Sequence, residues 1–221
     1  MMQIFLETER MVLRQFTMAD ADNLVNLDAD PDVMRFVTGG IPTSREEIHD
    51  EVLPAFLGYY QRYAGFGFWA AIEKATGEFL GWFHFRPRKD AAPGEVELGY
   101  RLRKSAWGDG YATEGSRALI GKGFTEHGTQ RVVAEATAVN VASRRMMEKA
   151  GLSLVRTFHQ PWPYPIDGDQ HGTVEYALDK TTWQHDQASA GEFRNTRSDG
   201  GACRVDGRRG MPPGRFVLTR W

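Results

Sequence analysis

Apolar and polar residues alternate over residues 10–16 (RMVLRQF) and 95–102 (EVELGYRL), and this period of two predicts two strands; the largely apolar runs 67–73 (GFWAAIE) and 78–85 (EFLGWFHF) between them read as two more, making four in chain order. In the fourth, Val96, Leu98, Tyr100 and Leu102 share one face and Glu97, Gly99 and Arg101 the other. Residues 74–77 (KATG) form a short hairpin loop, and the Pro-containing stretch 86–94 is a polar turn. Residues 131–138 (RVVAEATA) read as a buried strand, and 152–158 and 173–178 as two more.

Helical spacing takes over between the strands. Thr17 caps a helix over about 18–29, with Asp20 in its first turn and Ala21, Leu24, Val25 and Leu27 on its buried face. Pro31 opens a short second helix. Thr43 or Ser44 caps a third that runs to about residue 63, and Pro54 predicts a kink or break in it. Two further helices cover about 111–127 and 141–150, the latter stopped by Gly151. The order β-α-α-β-β-β-α-β-α-β-β predicts an α+β (mixed α/β) fold. Its sheet is mixed and mostly antiparallel, has six or seven strands, is flanked by helices and contains one central βαβ unit. Strand 131–138 follows a helix, so it is expected parallel to strand 95–102.

Composition narrows the class. With 221 residues and 41% hydrophobic positions the chain supports one core, and a net charge of −2 gives no electrostatic case for nucleic acid or an anionic membrane. One cysteine, Cys203, makes no intramolecular disulfide. The first residues lack a basic segment followed by an apolar run, and no stretch approaches the ~20 apolar residues of a membrane span. These features predict a soluble, cytoplasmic protein. From about residue 180 the chain becomes rich in Gly, Arg, Ser and Asp. We read residues 1–180 as the folded domain and 181–221 as a disordered tail.

The stretch LRKSAWGDGYATEG (residues 102–115) joins the fourth strand to a helix through a Gly-x-Gly turn. Gly108 and Gly110 bring backbone close to a ligand at the positive end of a helix dipole, which outlines a phosphate site. No cluster of His, Cys and acids has metal-ligand spacing, and no Ser–His–Asp order stands out.

Four blocks in order resemble the GNAT N-acetyltransferase superfamily and its RimJ/RimL-like branch: RMVLRQFTMADADNL with DPDVMRFV, then VELGYRL, WGDGYATEG and AVNVASRRMMEKAGL. The resemblance covers roughly residues 7–179. It implies transfer of acetyl from acetyl-CoA, without a metal, to a primary amine by direct attack in a ternary complex. The acceptor would be an amine-bearing small molecule or a protein N-terminus, and the enzyme a monomer or homodimer. A different class stays open: a catalytically inactive acyl-CoA-binding sensor or scaffold. The resemblance implies pyrophosphate binding by the backbone of Trp107, Gly108, Asp109, Gly110, Tyr111, Ala112 and Thr113. It implies pantetheine pairing with the backbone of Tyr100, Leu102 and Arg103, and contacts from Asn140 and Arg144. Asn140 is equally placed to cap the next helix, and Arg144 to be a solvated charge. Many relatives carry a tyrosine acid where this chain has Met147, which leaves Ser143 as the candidate proton donor to sulfur. Glu97 is the candidate base; His84 on the adjacent strand is a second, and Tyr164, Asp167 and His171 are possible substrate contacts.

Overall fold

The computed structural model describes residues 3–88, 91–163 and 165–195, with side chains described up to residue 189. Tyr164 and all of the expected tail beyond residue 195, Cys203 included, lie outside the described residues. Eight strands form one sheet in the order β1-β2-β3-β4-β5-β6-β8-β7. They are β1 (Ile4–Glu7), β2 (Met11–Gln15), β3 (Gly67–Glu73), β4 (Phe79–Pro87), β5 (Glu95–Leu102), β6 (Arg131–Thr137), β7 (Ser153–Phe158) and β8 (Thr173–Asp179). Among the described residues only β5 and β6 pair in parallel; every other neighbour pair is antiparallel. β1 is one strand beyond the seven read from the sequence. It is a short edge piece, and β2 follows after only three residues.

The helices are α1 (Ala21–Asp28), α2 (Pro31–Met34), α3 (Arg45–Glu47), α4 (Leu53–Arg62), α5 (Tyr111–Glu126), α6 (Val141–Lys149) and α7 (Lys180–Asn195). Their starts follow local chemistry. Ser44 accepts the Glu47 N–H at 3.0 Å, Asn140 accepts the Ser143 N–H at 3.1 Å, and Thr17 with Asp20 forms a capping box. A π-helical turn, Ile48–Val52, joins α3 to α4, whose first turn holds Pro54. The expected irregularity thus falls just before the proline, whose ring does not fit against the preceding carbonyls of a regular helix.

Strand alternation sorts the sheet into two faces. One carries Phe83, Phe85, Leu98, Leu102, Val132, Ala134 and Tyr176 and packs under α5 and α6. On the other, Phe68, Ala70 and Trp82 pack under α1 and α4 with Leu24, Leu27 and Phe56. α5 lies unusually close to β4: a Cβ at Gly115 would sit 2.5 Å from the Phe83 ring, and one at Gly123 would sit 2.5 Å from the Phe85 ring.

Residues 181–195 are helical, which corrects the reading of this part as disordered. From Lys180 to Ala190 there is no Gly or Pro, and Trp183 has a partner in Phe124, with ring centroids 5.4 Å apart. By its contacts the chain divides into two units, the first ending at Gln184. No helix among the described residues is long and apolar enough to cross a membrane.

Candidate active site

The parallel seam between β5 and β6 is short. Glu95, Val96 and Glu97 pair with Arg131, Val132 and Val133, and there the pairing ends. β5 stays paired to β4 out to Leu102, and β6 to β8 out to Thr137, so the sheet opens between them. Alternation decides which backbone groups face the opening. The Arg103 N–H donates to the Leu80 carbonyl at 2.8 Å, toward β4, and its carbonyl accepts from Ala106 at 3.0 Å. With a period of two, the backbone groups of Tyr100 and Leu102 therefore face the open side. Tyr100 and Leu102 stand where a strand-like ligand would pair, but Arg103 does not: both of its backbone groups are spent within the protein. Its guanidinium is paired with Glu78 at 2.8 Å.

At the wide end of the opening lies the glycine turn. Gly108 and Gly110 have φ of 86° and 84°, the left-handed region that favours glycine. Among the described residues, no protein acceptor meets the N–H groups of Gly108, Asp109, Gly110, Tyr111 or Ala112. Those of Gly110, Tyr111 and Ala112 are orphan donors of the α5 N-terminus, and Gly108 and Asp109 add those of the turn before it. Trp107 turns its indole back, and Nε1–H donates to the Leu102 carbonyl at 2.8 Å. Thr113 lines a cavity of about 640 Å³ beside the turn, together with Thr8, Glu9, Arg117 and Lys149.

The turn is braced by residues that sequence reasoning missed. Arg10 donates through Nη1 to the Asp109 carbonyl at 2.9 Å and through Nε to Glu114 at 2.7 Å, while its N–H reaches the same carboxylate at 2.9 Å. The guanidinium also lies 4.3 Å from the Tyr111 ring centre. Burial costs the Glu114 carboxylate, yet hydrogen bonds from Thr8 and Arg10 hold its pKa below the usual value. Arg10 and Glu114 lie 104 residues apart, and nothing local in the sequence links them. Arg10→Ala is expected to weaken acetyl-CoA binding about tenfold by loosening this turn, with the fold retained. Calorimetric titration of the variant checks this.

Across the opening, α6 contributes its first turn. Asn140 is its N-cap. Ser143 lies beside the Tyr100 phenol, whose pKa is raised chiefly by burial. Arg144 donates to the Ala138 carbonyl at 3.1 Å and to the Tyr176 hydroxyl at 3.3 Å, which ties α6 to β6 and β8.

The face opposite α5 and α6 carries charge at the seam. Glu97 is paired with Arg86 at 2.9 Å, and His84 Nε2 lies 3.8 Å away. Burial, with Arg86 and Arg101 nearby, drives the His84 pKa well below its usual value, so it stays neutral and is a poor proton acceptor. Glu135, Glu175, Arg88 and Arg156 extend the network: Arg88 to Glu135 at 3.1 Å and to Glu175 at 3.6 Å, Arg156 to Glu175 at 2.9 Å. Arg101 reaches Asp28 of α1 at 2.6 Å. The late loop is joined to the α2 side by an Arg35–Asp167 pair at 2.7 Å and by close contact of Gly39 with the Pro165 carbonyl. His171 is exposed in a 3₁₀ turn after it.

A sheet opened at one parallel seam, with a turn of unpaired N–H groups at its wide end, is the arrangement that a phosphate-bearing arm lying between strands needs. Residues 10–153 match the family described as "Acetyltransferase (GNAT) domain". The chain belongs to the GNAT acetyltransferase family. Among curated proteins, it is 34% identical over 176 residues to the FsC-acetyl coenzyme A-N(2)-transacetylase of Aspergillus fumigatus, covering 77% of this chain and 71% of that one. It is 33% identical over 165 residues to protein YkkB of Bacillus subtilis, covering 73% and 91%. Among solved structures, RimL, the ribosomal L7/L12 alpha-N-protein acetyltransferase in complex with coenzyme A, shares the fold with a TM-score of 0.68, at 19% identity over 80% of this chain and 98% of that one. This GNAT protein is an acetyl-CoA-dependent N-acetyltransferase. The unpaired N–H groups of its turn suit a pyrophosphate, and its open β5 edge suits an amide-bearing arm.

Proposed function

We propose that the enzyme transfers acetyl from acetyl-CoA to the primary amine of a small molecule by direct attack within a ternary complex. The observation that carries this reading is the opened seam. An arm entering from the turn must stop where pairing resumes, at Glu97 and Val133. Its reactive end then lies beside Glu97 and Gly99, at the charged face. The α1–α2 side and the late loop wall that face through Arg35–Asp167 and Gly39–Pro165, which favours a compact acceptor. The name of the Aspergillus relative, which specifies an N(2) position, points the same way.

In this reading the backbone N–H groups of Gly108 to Ala112 hold the pyrophosphate, and Tyr100 and Leu102 pair with pantetheine. The Tyr100 N–H polarises the thioester carbonyl and stabilises the oxyanion formed by attack. Ser143, beside the Tyr100 phenol, donates toward the departing sulfur. We assign Arg144 to bracing α6. The amine needs a carboxylate at the charged face to lose its proton, and Glu97 and Glu135 are the two at the narrow end of the seam.

The test is free-thiol release from acetyl-CoA, with mass spectrometry of the acceptor, over a panel holding small diamines, an aminoglycoside and a seryl tetrapeptide. Acetylation of a small amine is the expected result. Acetylation of the peptide alone would move the acceptor to a protein N-terminus. Acetyl-CoA binding without acetylation of any amine would contradict the transferase reading and favour a sensor.

A further inference from the structure

Resting on that reading, we infer that Glu135, rather than Glu97, is the catalytic base that takes the proton from the acceptor amine. Glu135 is the first polar side chain of β6 beyond the last β5–β6 pair, and it projects from the face opposite α6. It therefore stands at the narrow end of the opening, where the thioester is placed.

The charges around it leave it the least compensated carboxylate there. Among the described residues, the charged groups that act on it are Arg88, just beyond β4, Glu97 of β5, Glu175 of β8 and Arg156 of β7. Glu97 has Arg86 at 2.9 Å. Glu175, directly across the β6–β8 ladder from Glu135, has Arg156 at 2.9 Å. Arg88 is shared between Glu135 at 3.1 Å and Glu175 at 3.6 Å. Glu135 Oε1 is buried, and Arg88 Nη1, 3.1 Å from it, meets it as an ion pair outside hydrogen-bond geometry. Burial first, then Glu97 and Glu175, push its carboxyl up to about 7 against the pull of Arg88 and Arg156. A carboxylate poised there accepts a proton near neutral pH far better than an ordinary one.

The step balances. The ammonium form of the acceptor gives one proton to the Glu135 carboxylate. The nitrogen lone pair then forms the C–N bond as the C–S bond breaks. The second nitrogen proton ends on the sulfur, through Ser143 in the reading above, and Glu135 returns its proton to solvent.

The test compares wild type, Glu135→Gln and Glu97→Gln with the best small amine of the panel. The expected wild-type kcat/KM falls as pH drops through about 7. Glu135→Gln loses this limb and about 10²-fold in rate at neutral pH, with acetyl-CoA affinity unchanged. Glu97→Gln keeps the limb. With a fluorinated analogue of the amine that is already neutral at the assay pH, the deficit of Glu135→Gln narrows, which a structural role would not produce.

Stability supplies a readout independent of the acceptor. The folded pKa is raised above the unfolded value, so stability present at low pH is lost as pH rises through about 7. The Tm of Glu135→Gln minus that of wild type should grow more positive between pH 6 and 8. The inference is overturned if Glu135→Gln keeps rate and limb, or if that Tm difference is independent of pH. Wild type that binds acetyl-CoA yet acetylates no amine overturns the transferase reading itself, and this is seen before any variant is made.

Discussion

Gly110→Asp is expected to abolish measurable acetyl-CoA binding, lowering affinity by at least about 10²-fold, while the protein still folds. Two effects act together. Gly110 caps α5 at φ 84°, where a side chain costs ~1–2 kcal/mol of backbone strain. The larger effect is charge. A carboxylate would stand among the N–H groups of Gly108 to Ala112, where it would occupy those donors itself and repel a pyrophosphate. Space is not the obstacle, because the nearest atom to a Cβ there is Arg10 Nη2 at 3.5 Å. Gly108→Ala isolates the strain, since nothing lies within 4 Å of its Cβ position. It should cost only about tenfold in affinity. Titration calorimetry of both variants, with circular dichroism to confirm folding, separates charge from strain. Equal affinities for wild type and Gly110→Asp would place the anion elsewhere.

Gly115→Leu is expected to cost about 4 kcal/mol or more and leave little folded protein. An added Cβ alone would stand 2.5 Å from the Phe83 ring, which is fully buried on β4. Glycine inside a helix is ordinarily a liability, and replacing it with alanine gains ~1 kcal/mol of helix propensity. Here the contact reverses the sign: the ring has no room to retreat, so even Gly115→Ala should lose ~1–2 kcal/mol net. Gly123→Ala, facing Phe85 at the same distance, should behave alike. Because α5 begins at the glycine turn, any variant that lifts it from the sheet also displaces the phosphate donors. Urea denaturation of the two alanine variants is the direct check, and stabilisation by either would show that α5 can move off the sheet at little cost.

The sequence carried what is local. The alternation of Val96, Leu98, Tyr100 and Leu102 against Glu97, Gly99 and Arg101 gave β5 its two faces. The glycine turn, the caps Ser44 and Asn140, and the parallel partnership of β5 with β6 all rested on short-range signals or on chain order. What depends on distant pairing was not legible. Arg10 and Glu114 meet only once β2 has reached the start of α5. Glu135 sits in RVVAEATA, where its neighbours mark a buried strand, and its raised pKa depends on burial and on Glu97 and Glu175, two carboxylates far from it in sequence. Glu97 drew notice first because it lies on the strand before the turn, yet its cross-strand partner is Arg86, an arginine that lies in a segment read as a turn. Arg103 shows a finer limit. It is one residue beyond Leu102, and one residue reverses the edge toward which a strand points its backbone. The helix over 181–195 was masked by averaging the composition of the whole tail.

The central claim is that the opened seam is the cofactor channel and that its narrow end is the reaction centre. A crystal structure with coenzyme A bound tests it most directly. The account predicts the pyrophosphate against the N–H groups of Gly108 to Ala112, pantetheine along Tyr100 and Leu102, and the thiol between Glu97–Gly99 and Val133–Glu135. Pyrophosphate bound away from the turn, or a thiol remote from Glu135 and Glu97, would contradict it.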